Sequence, residues 1–251
     1  MEEYSHPILP LILLDDQSSL KRRKPTGPQI DICTEREGYI YRCSKGIVVL
    51  DAAMRKAAFS VELLKDAKKP LRNSKVSHAE QIQFAIENYF IRSATIYDRA
   101  LIFVGHLLDL GVTDDRIDHV DIVTNRHVKR YTLDLVLKKL GVICRKLSDE
   151  RNAIIHHRSY SDDTFDKFAI MVAANDLSVR AGKRRPFPQT LMKNLTGAIL
   201  RDQTSEYEHH LAQIKIKLDD LLDTATAVYK IRRETYSDEI QEQTIVNDPI
   251  V

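Results

Sequence analysis

A chain of 251 residues can bury one substantial core and still have room for a second lobe. With 29% charged and 43% hydrophobic residues it has the composition of an ordinary soluble protein, not of a disordered chain or a membrane protein. The formal charge of only +2 excludes a global basic field, so any binding of nucleic acid needs a local patch. Glycine and proline number only 8 each and tryptophan is absent, which favours helices over a turn-rich β architecture.

Residues 1–45 are expected to be an irregular N-terminal extension. The apolar stretch from Pro7 to Leu14 is too short to span a bilayer and lacks the flanks of a signal peptide. Lys21 to Lys24, followed by Pro25-Thr26-Gly27-Pro28, reads as an exposed basic turn, and Tyr39-Ile40-Tyr41 as a short strand. Cys33, Cys43 and Cys144 contain no CxxC pair, so neither a disulfide framework nor a zinc knuckle is indicated. That pattern suits a reducing cytosol, and a cytoplasmic protein is expected.

From Gly46 the spacing of apolar residues predicts a helix that ends near Lys68-Lys69-Pro70, where cations precede a breaker. Ser77 with Glu80 forms a capping box for a long helix that Gly111 closes. Thr113-Asp114-Asp115 opens a short helix through about Val123, and a single further helix carries Val128 through Leu147. Phe165 to Ala174 is helical, and Arg180 to Pro188 is a basic loop. Two helices follow, from about Gln189 to Arg201 and from about Ser205 to Tyr236. In the latter, Leu211, Ile214, Leu218, Leu221 and Leu222 form a stripe assigned to the core. The result is an all-α bundle with one domain over residues 46–251.

The chemistry concentrates at Arg151-Asn152-Ala153-Ile154-Ile155-His156. An arginine and a histidine at similar separation recur at Arg72 and His78, and at Arg99 and His106, so the spacing alone carries little. What distinguishes Arg151 is the asparagine beside it, the amphipathic helix before it, and two isoleucines expected to anchor the turn in the core. Those side chains suit a phosphodiester. Arginine offers an always-charged planar fork to phosphate oxygens. Histidine titrates nearest neutrality and can move a proton, and asparagine can orient either.

The stretch Cys144 to His157 resembles the signature of the HEPN superfamily: arginine, a polar residue, a few variable residues, then histidine. The preceding helix from Glu87 to Phe103 is similar to the one that packs beside the motif in bacterial members. The resemblance covers about residues 78–160. It implies an all-α HEPN-like bundle, here with additional flanking helices and an irregular N-terminal segment. It further implies a metal-independent endoribonuclease whose site forms where two protomers meet, with Arg151, Asn152 and His156 as its catalytic residues. No cofactor is implied. A role in defence or in a toxin–antitoxin pair, with an antitoxin or regulatory partner, follows by analogy.

Bland alternatives stand beside this reading. Arg151 could pair with Asp149, Glu150 or Asp98 and merely cap the bundle, and Asp98 could equally hold Arg151 for its task. His157 is a structural residue or a minor RNA contact. His209 and His210, with Glu206 a turn away, are better read as exposed helix histidines than as metal ligands. Arg126, Lys129 and Arg130, and Lys183, Arg184 and Arg185, are the basic groups able to guide RNA. Tyr160 and Phe165 are too few for strong base stacking. The competing functions are a non-catalytic HEPN bundle that binds RNA, nucleotide or a partner protein, and a helical scaffold whose Arg-His pair is structural.

Overall fold

The computed structural model describes residues 6–19, 32–71, 75–111, 117–156 and 159–237. Among them are nine helices: α1 (Ile8–Leu13), α2 (Glu35–Asp66), α3 (His78–Leu107), α4 (His119–Thr124), α5 (Arg126–Arg130), α6 (Leu133–Cys144), α7 (Ser148–His156), α8 (Asp163–Arg180) and α9 (Gln189–Arg233). No strand occurs among the described residues, so the all-α expectation holds. The basic turn from Lys21 to Pro28, the pair Arg72 and Asn73, and Thr113 to Asp115 lie outside the described residues.

The helix boundaries follow from capping chemistry. At Ser77 the predicted box is present: the Ser77 N–H donates to Glu80 Oε2 at 2.7 Å, and the Glu80 N–H donates to Ser77 Oγ at 3.2 Å. The hydrogen bonds from Ser77 hold the Glu80 carboxyl below its ordinary range. The same device starts α2, where Glu37 Oε2 accepts from the Cys33 and Thr34 N–H groups and Thr34 Oγ1 accepts from the Glu37 N–H. Helix therefore begins at Glu35, and Tyr39-Ile40-Tyr41 is helical, not a strand. At the far end of α3, Asp109 already turns left-handed at φ 52°, two residues before Gly111 at φ 66°.

Two further corrections concern continuity. The expected single helix from Val128 to Leu147 is broken twice, at Tyr131-Thr132, where Thr132 takes φ 58°, and at Arg145 to Leu147. The two expected C-terminal helices are one, because the polar run Asp202-Gln203-Thr204 contains no glycine or proline to interrupt α9.

The chain divides into two compact units. Unit one comprises Met1–Ala53, Ile96–Val142 and Lys215–Val251; unit two comprises Met54–Thr95 and Ile143–Ile214. Unit one is built on aromatic burial. The Tyr39 ring stacks on Tyr236 at 4.5 Å and on Tyr229 at 5.9 Å, and its hydroxyl donates to the Leu107 carbonyl. Leu218, Leu221 and Leu222 of the C-terminal stripe are buried here, as expected. Cys43 is buried as well, and burial pushes its thiol up to about 12. Unit two centres on Tyr89 stacked on Tyr207 at 4.4 Å, with Phe90, Phe165 and Phe168 buried around them. No helix among the described residues is long and apolar enough to cross a membrane.

Candidate active site

The Arg151-Asn152-x3-His156 segment is a helix of its own, α7, in unit two. After Cys144 the chain turns through bonds from the Lys146 N–H to the Ile143 carbonyl and from the Ser148 N–H to the Arg145 carbonyl. The Arg151 N–H bonding to the Leu147 carbonyl then starts the new helix. Asp149 and Glu150 in its first turn and His156 in its last suit the helix dipole.

Asn152 and His156 are four residues apart, hence on one face, and both are exposed. Arg151 points elsewhere and is half-buried. Its Nε is fully buried without a hydrogen-bond partner, and the guanidinium makes no ion pair among the described residues. Asp149 and Glu150 leave it alone, which removes the simplest structural explanation for the residue.

The isoleucines do not anchor the motif as expected. No residue of α7 is buried; Ile154 is half-buried and Ile155 is 45% exposed. The anchors are on either side. Cys144 and Leu147 are buried before the helix. After it, the Tyr160 N–H donates to Glu87 Oε1 at 2.7 Å, and the Tyr160 carbonyl accepts from Gln83 Nε2 at 2.8 Å. The Tyr160 hydroxyl donates to Asp162 and accepts from Gln203 Nε2. Tyr160 and Phe165, their rings 5.4 Å apart, are thus supports of the site.

A second support went unseen in the sequence. His210 is buried, not an exposed helix histidine. Its Nε2 lies 3.0 Å from the Ile143 carbonyl, which can only accept, so Nε2 carries the proton and Nδ1 accepts from the Tyr89 hydroxyl at 2.9 Å. Both nitrogens are therefore occupied by protein where α6 gives way to α7, which leaves none for a metal. His209 is exposed and bonded to Gln213. Tyr89, Ile143 and His210 stand on different helices far apart in the chain, so no local pattern signals their contact and only the fold creates it.

Burial lowers the His210 imidazole below its ordinary value. It is neutral in the fold, whereas in the unfolded chain it takes a proton at about pH 6.5. Its contribution to stability is therefore complete above that value and is lost as pH drops toward the lower folded value, by at most about 1.4 kcal/mol per pH unit. Thermal melts across this acidic range should show a smaller loss in His210→Gln than in the parent chain. An identical pH dependence in the two proteins would remove His210 as the linked group.

The basic groups divide between the units. Arg126, Lys129 and Arg130 are exposed on α5 in unit one. Lys183, Arg184 and Arg185 are exposed in unit two, between α8 and α9. Their loop is clamped by buried Asn175, which donates to the Phe187 carbonyl and accepts from the Phe187 N–H. Asp98 is exposed on α3 and belongs to unit one, and His157 lies outside the described residues.

An all-α bundle with an Arg-Asn-x3-His helix defines the HEPN class. A HEPN family model matches residues 52–184, more than half of the chain, and the chain belongs to that family. The match reaches beyond the 78–160 stretch read from the motif, taking in part of α2 and all of α8. No curated protein and no solved structure matches the chain.

Proposed function

We propose that the chain is a metal-independent endoribonuclease acting as a homodimer in the cytoplasm. The observation that carries this reading is Arg151: a guanidinium that cannot be deprotonated, half-buried, with nothing among the described residues to neutralise it. Its buried Nε lacks a hydrogen-bond partner among the described residues, and an anionic substrate oxygen is suited to supply one. Asn152 and His156 share an exposed face of the same helix.

RNA brings its own nucleophile. A base takes the 2′-OH proton, the 2′-oxygen attacks the adjacent phosphorus, and the bond to the 5′-oxygen breaks as an acid protonates it. The products are a 2′,3′-cyclic phosphate and a 5′-hydroxyl. Arg151 stabilises charge on the phosphoryl oxygens, Asn152 orients the imidazole or the phosphate, and His156 transfers a proton. One imidazole does not easily perform both transfers at once, and a second copy supplies another. Exposed apolar side chains in unit two favour a second copy: Ile155 on α7, with Ile170 and Leu177 two turns apart on one face of α8. Lys183, Arg184 and Arg185, and Arg126, Lys129 and Arg130, are assigned to guiding RNA, which makes binding fall steeply with salt. A toxin or defence role with a regulatory partner rests on family analogy.

The test is the chemistry of the cut ends. Incubated with single-stranded RNA in excess chelator, the protein should leave 2′,3′-cyclic phosphates. A substrate with a 2′-deoxy sugar at the cut position should resist. Cleavage that needs a divalent ion, leaves a 3′-hydroxyl or ignores the 2′-deoxy substitution would sink the proposal.

A further inference from the structure

Positive charge in this chain is concentrated in one stretch of unit one. Residues 126–142, which form α5, the turn after it and most of α6, carry five cations and one acid, twice the net positive charge of the whole chain. Arg126, Lys129, Arg130, Lys138 and Lys139 are all exposed, and the acid, Asp134, is buried and already bound to Lys138 at 3.1 Å. The same surface is partly apolar. On α6, Leu135 (54% exposed), Lys139 and Val142 (72% exposed) follow at i, i+4 and i+7, so they line one face of the helix. A helix whose solvent face reads leucine, lysine, valine has the form of a docking surface for an amphipathic segment.

Chemistry separates the candidate occupants. A second copy set face to face would bring each cation cluster against another, and like charges disfavour that contact. A nucleic-acid strand would satisfy the cations but has little use for Leu135 and Val142, which offer no aromatic face to a base. An acidic segment with apolar residues between its carboxylates satisfies both. The chain contains one: residues 238–251 carry Asp238, Glu239, Glu242 and Asp248 and no cation, with Ile240, Ile245 and Val246 between them. This segment, which lies outside the described residues, starts within reach of α6. The Arg36 guanidinium donates to the Tyr236 carbonyl at 2.7 and 3.1 Å, and the Tyr236 hydroxyl donates to Asp109 Oδ2 at 3.1 Å, just past the end of α3. The dozen residues from Asp109 back to Tyr97 measure about 18 Å, and the Tyr97 ring lies against Gly141 of α6. The residues after Ser237 span about 45 Å when extended, more than twice that length.

We propose that residues 238–251 dock on the α5–α6 face of their own chain. Ile240, Ile245 and Val246 cover Leu135 and Val142, and the carboxylates pair with Lys129, Arg130 and Lys139. The docked segment covers part of the surface assigned above to guiding RNA, so RNA has to displace it. That consequence rests on the ribonuclease reading, whereas the docking does not.

Methyl NMR on the full chain tests the docking. Between the parent and the variant Ile240→Ser/Ile245→Ser/Val246→Ser, the Leu135 and Val142 methyl resonances should shift. Those of Leu221 and Val228, buried in the same unit, should not. Zero-length carbodiimide cross-linking should join Asp238, Glu239 or Glu242 to Lys129 or Lys139 within one chain. Leu135 and Val142 are exposed, so Leu135→Ser/Val142→Ser keeps the fold. It should lower the cross-link yield by about tenfold or more, the effect of losing two apolar contacts. Methyl resonances that ignore the tail substitutions overturn the proposal, as does a yield unchanged in Leu135→Ser/Val142→Ser. Cross-links that join isotopically distinct chains overturn it in favour of a contact between copies. A single-stranded oligonucleotide that moves the Leu135 and Val142 methyls equally in the parent and the tail variant overturns it in favour of an open strand-binding face. None of these readouts depends on cleavage, so failure here is distinct from failure of the ribonuclease reading.

Discussion

Replacing His156 with alanine is expected to lower RNA cleavage by about 10²–10⁴-fold, the contribution of a positioned proton-transfer group. The expectation is testable because the change leaves packing intact. His156 is exposed and α7 buries no residue, so the substitution should move the melting free energy by no more than about 0.5 kcal/mol. Loss of activity in this variant cannot then be blamed on unfolding, and a thermal melt beside the cleavage assay checks the point. Arg151→Ala should lose activity comparably. Arg151→Lys should recover little of it, since an ammonium keeps the charge but not the planar fork. Cleavage unchanged in both alanine variants would mean a contaminating nuclease. Binding of RNA retained by a parent chain without turnover would identify a non-catalytic member of the family.

The largest effect on stability is expected at Gly141. A Cβ there would lie 2.9 Å from both Cε2 and Cζ of Tyr97 and 3.2 Å from its hydroxyl oxygen. Tyr97 is buried and its hydroxyl is hydrogen-bonded to His119 Nδ1, so the ring has nowhere to retreat. Glycine within a helix normally costs up to about 1 kcal/mol relative to alanine, and replacing it would recover part of that. Overpacking costs about 1–3 kcal/mol, sometimes more, and here it outweighs the recovered propensity. Gly141→Val, which adds two further methyl groups, should destabilise by about 3 kcal/mol in urea unfolding. Gly105→Ala is the control. Its nearest contact is an ordinary 3.5 Å to Ile117 Cδ1, so it should be neutral or stabilising. Equal destabilisation at both positions would show that helix propensity and the Tyr97 contact are not what decides.

The long helices were legible because apolar spacing and capping residues are local signals. Ser77 and Glu80 marked the start of α3 from sequence, and Thr34 with Glu37 carries the same signature at α2, where the tyrosine-rich segment after it suggested a strand instead. The breaks before and after α6 were not legible. Thr132 is left-handed without being glycine, and the turn at Arg145 to Leu147 contains no breaker. The motif residues could be found from their types and order, and family membership now rests on a match to more than half of the chain. Their surroundings could not. An ion pair from Arg151 to an acidic neighbour was only the alternative reading, and none forms among the described residues, while the isoleucines expected to face inward leave α7 without a buried side chain. Support comes from Tyr160 and His210, whose partners are tens of residues away in the chain and share no spacing rule with the motif.

Nine residues without a buried side chain are fewer than an isolated helix needs to hold itself in water. The order of α7 therefore comes from Cys144 and Leu147 on one side and Tyr160 on the other, and its own opening free energy is set by those hinges rather than by the bundle. Whatever covers Ile155 and the Asn152–His156 face uses part of its interaction free energy in freezing that segment. Affinity at the motif will consequently understate the contact area, and rigidifying α7 without touching its polar face is a route to tighter binding.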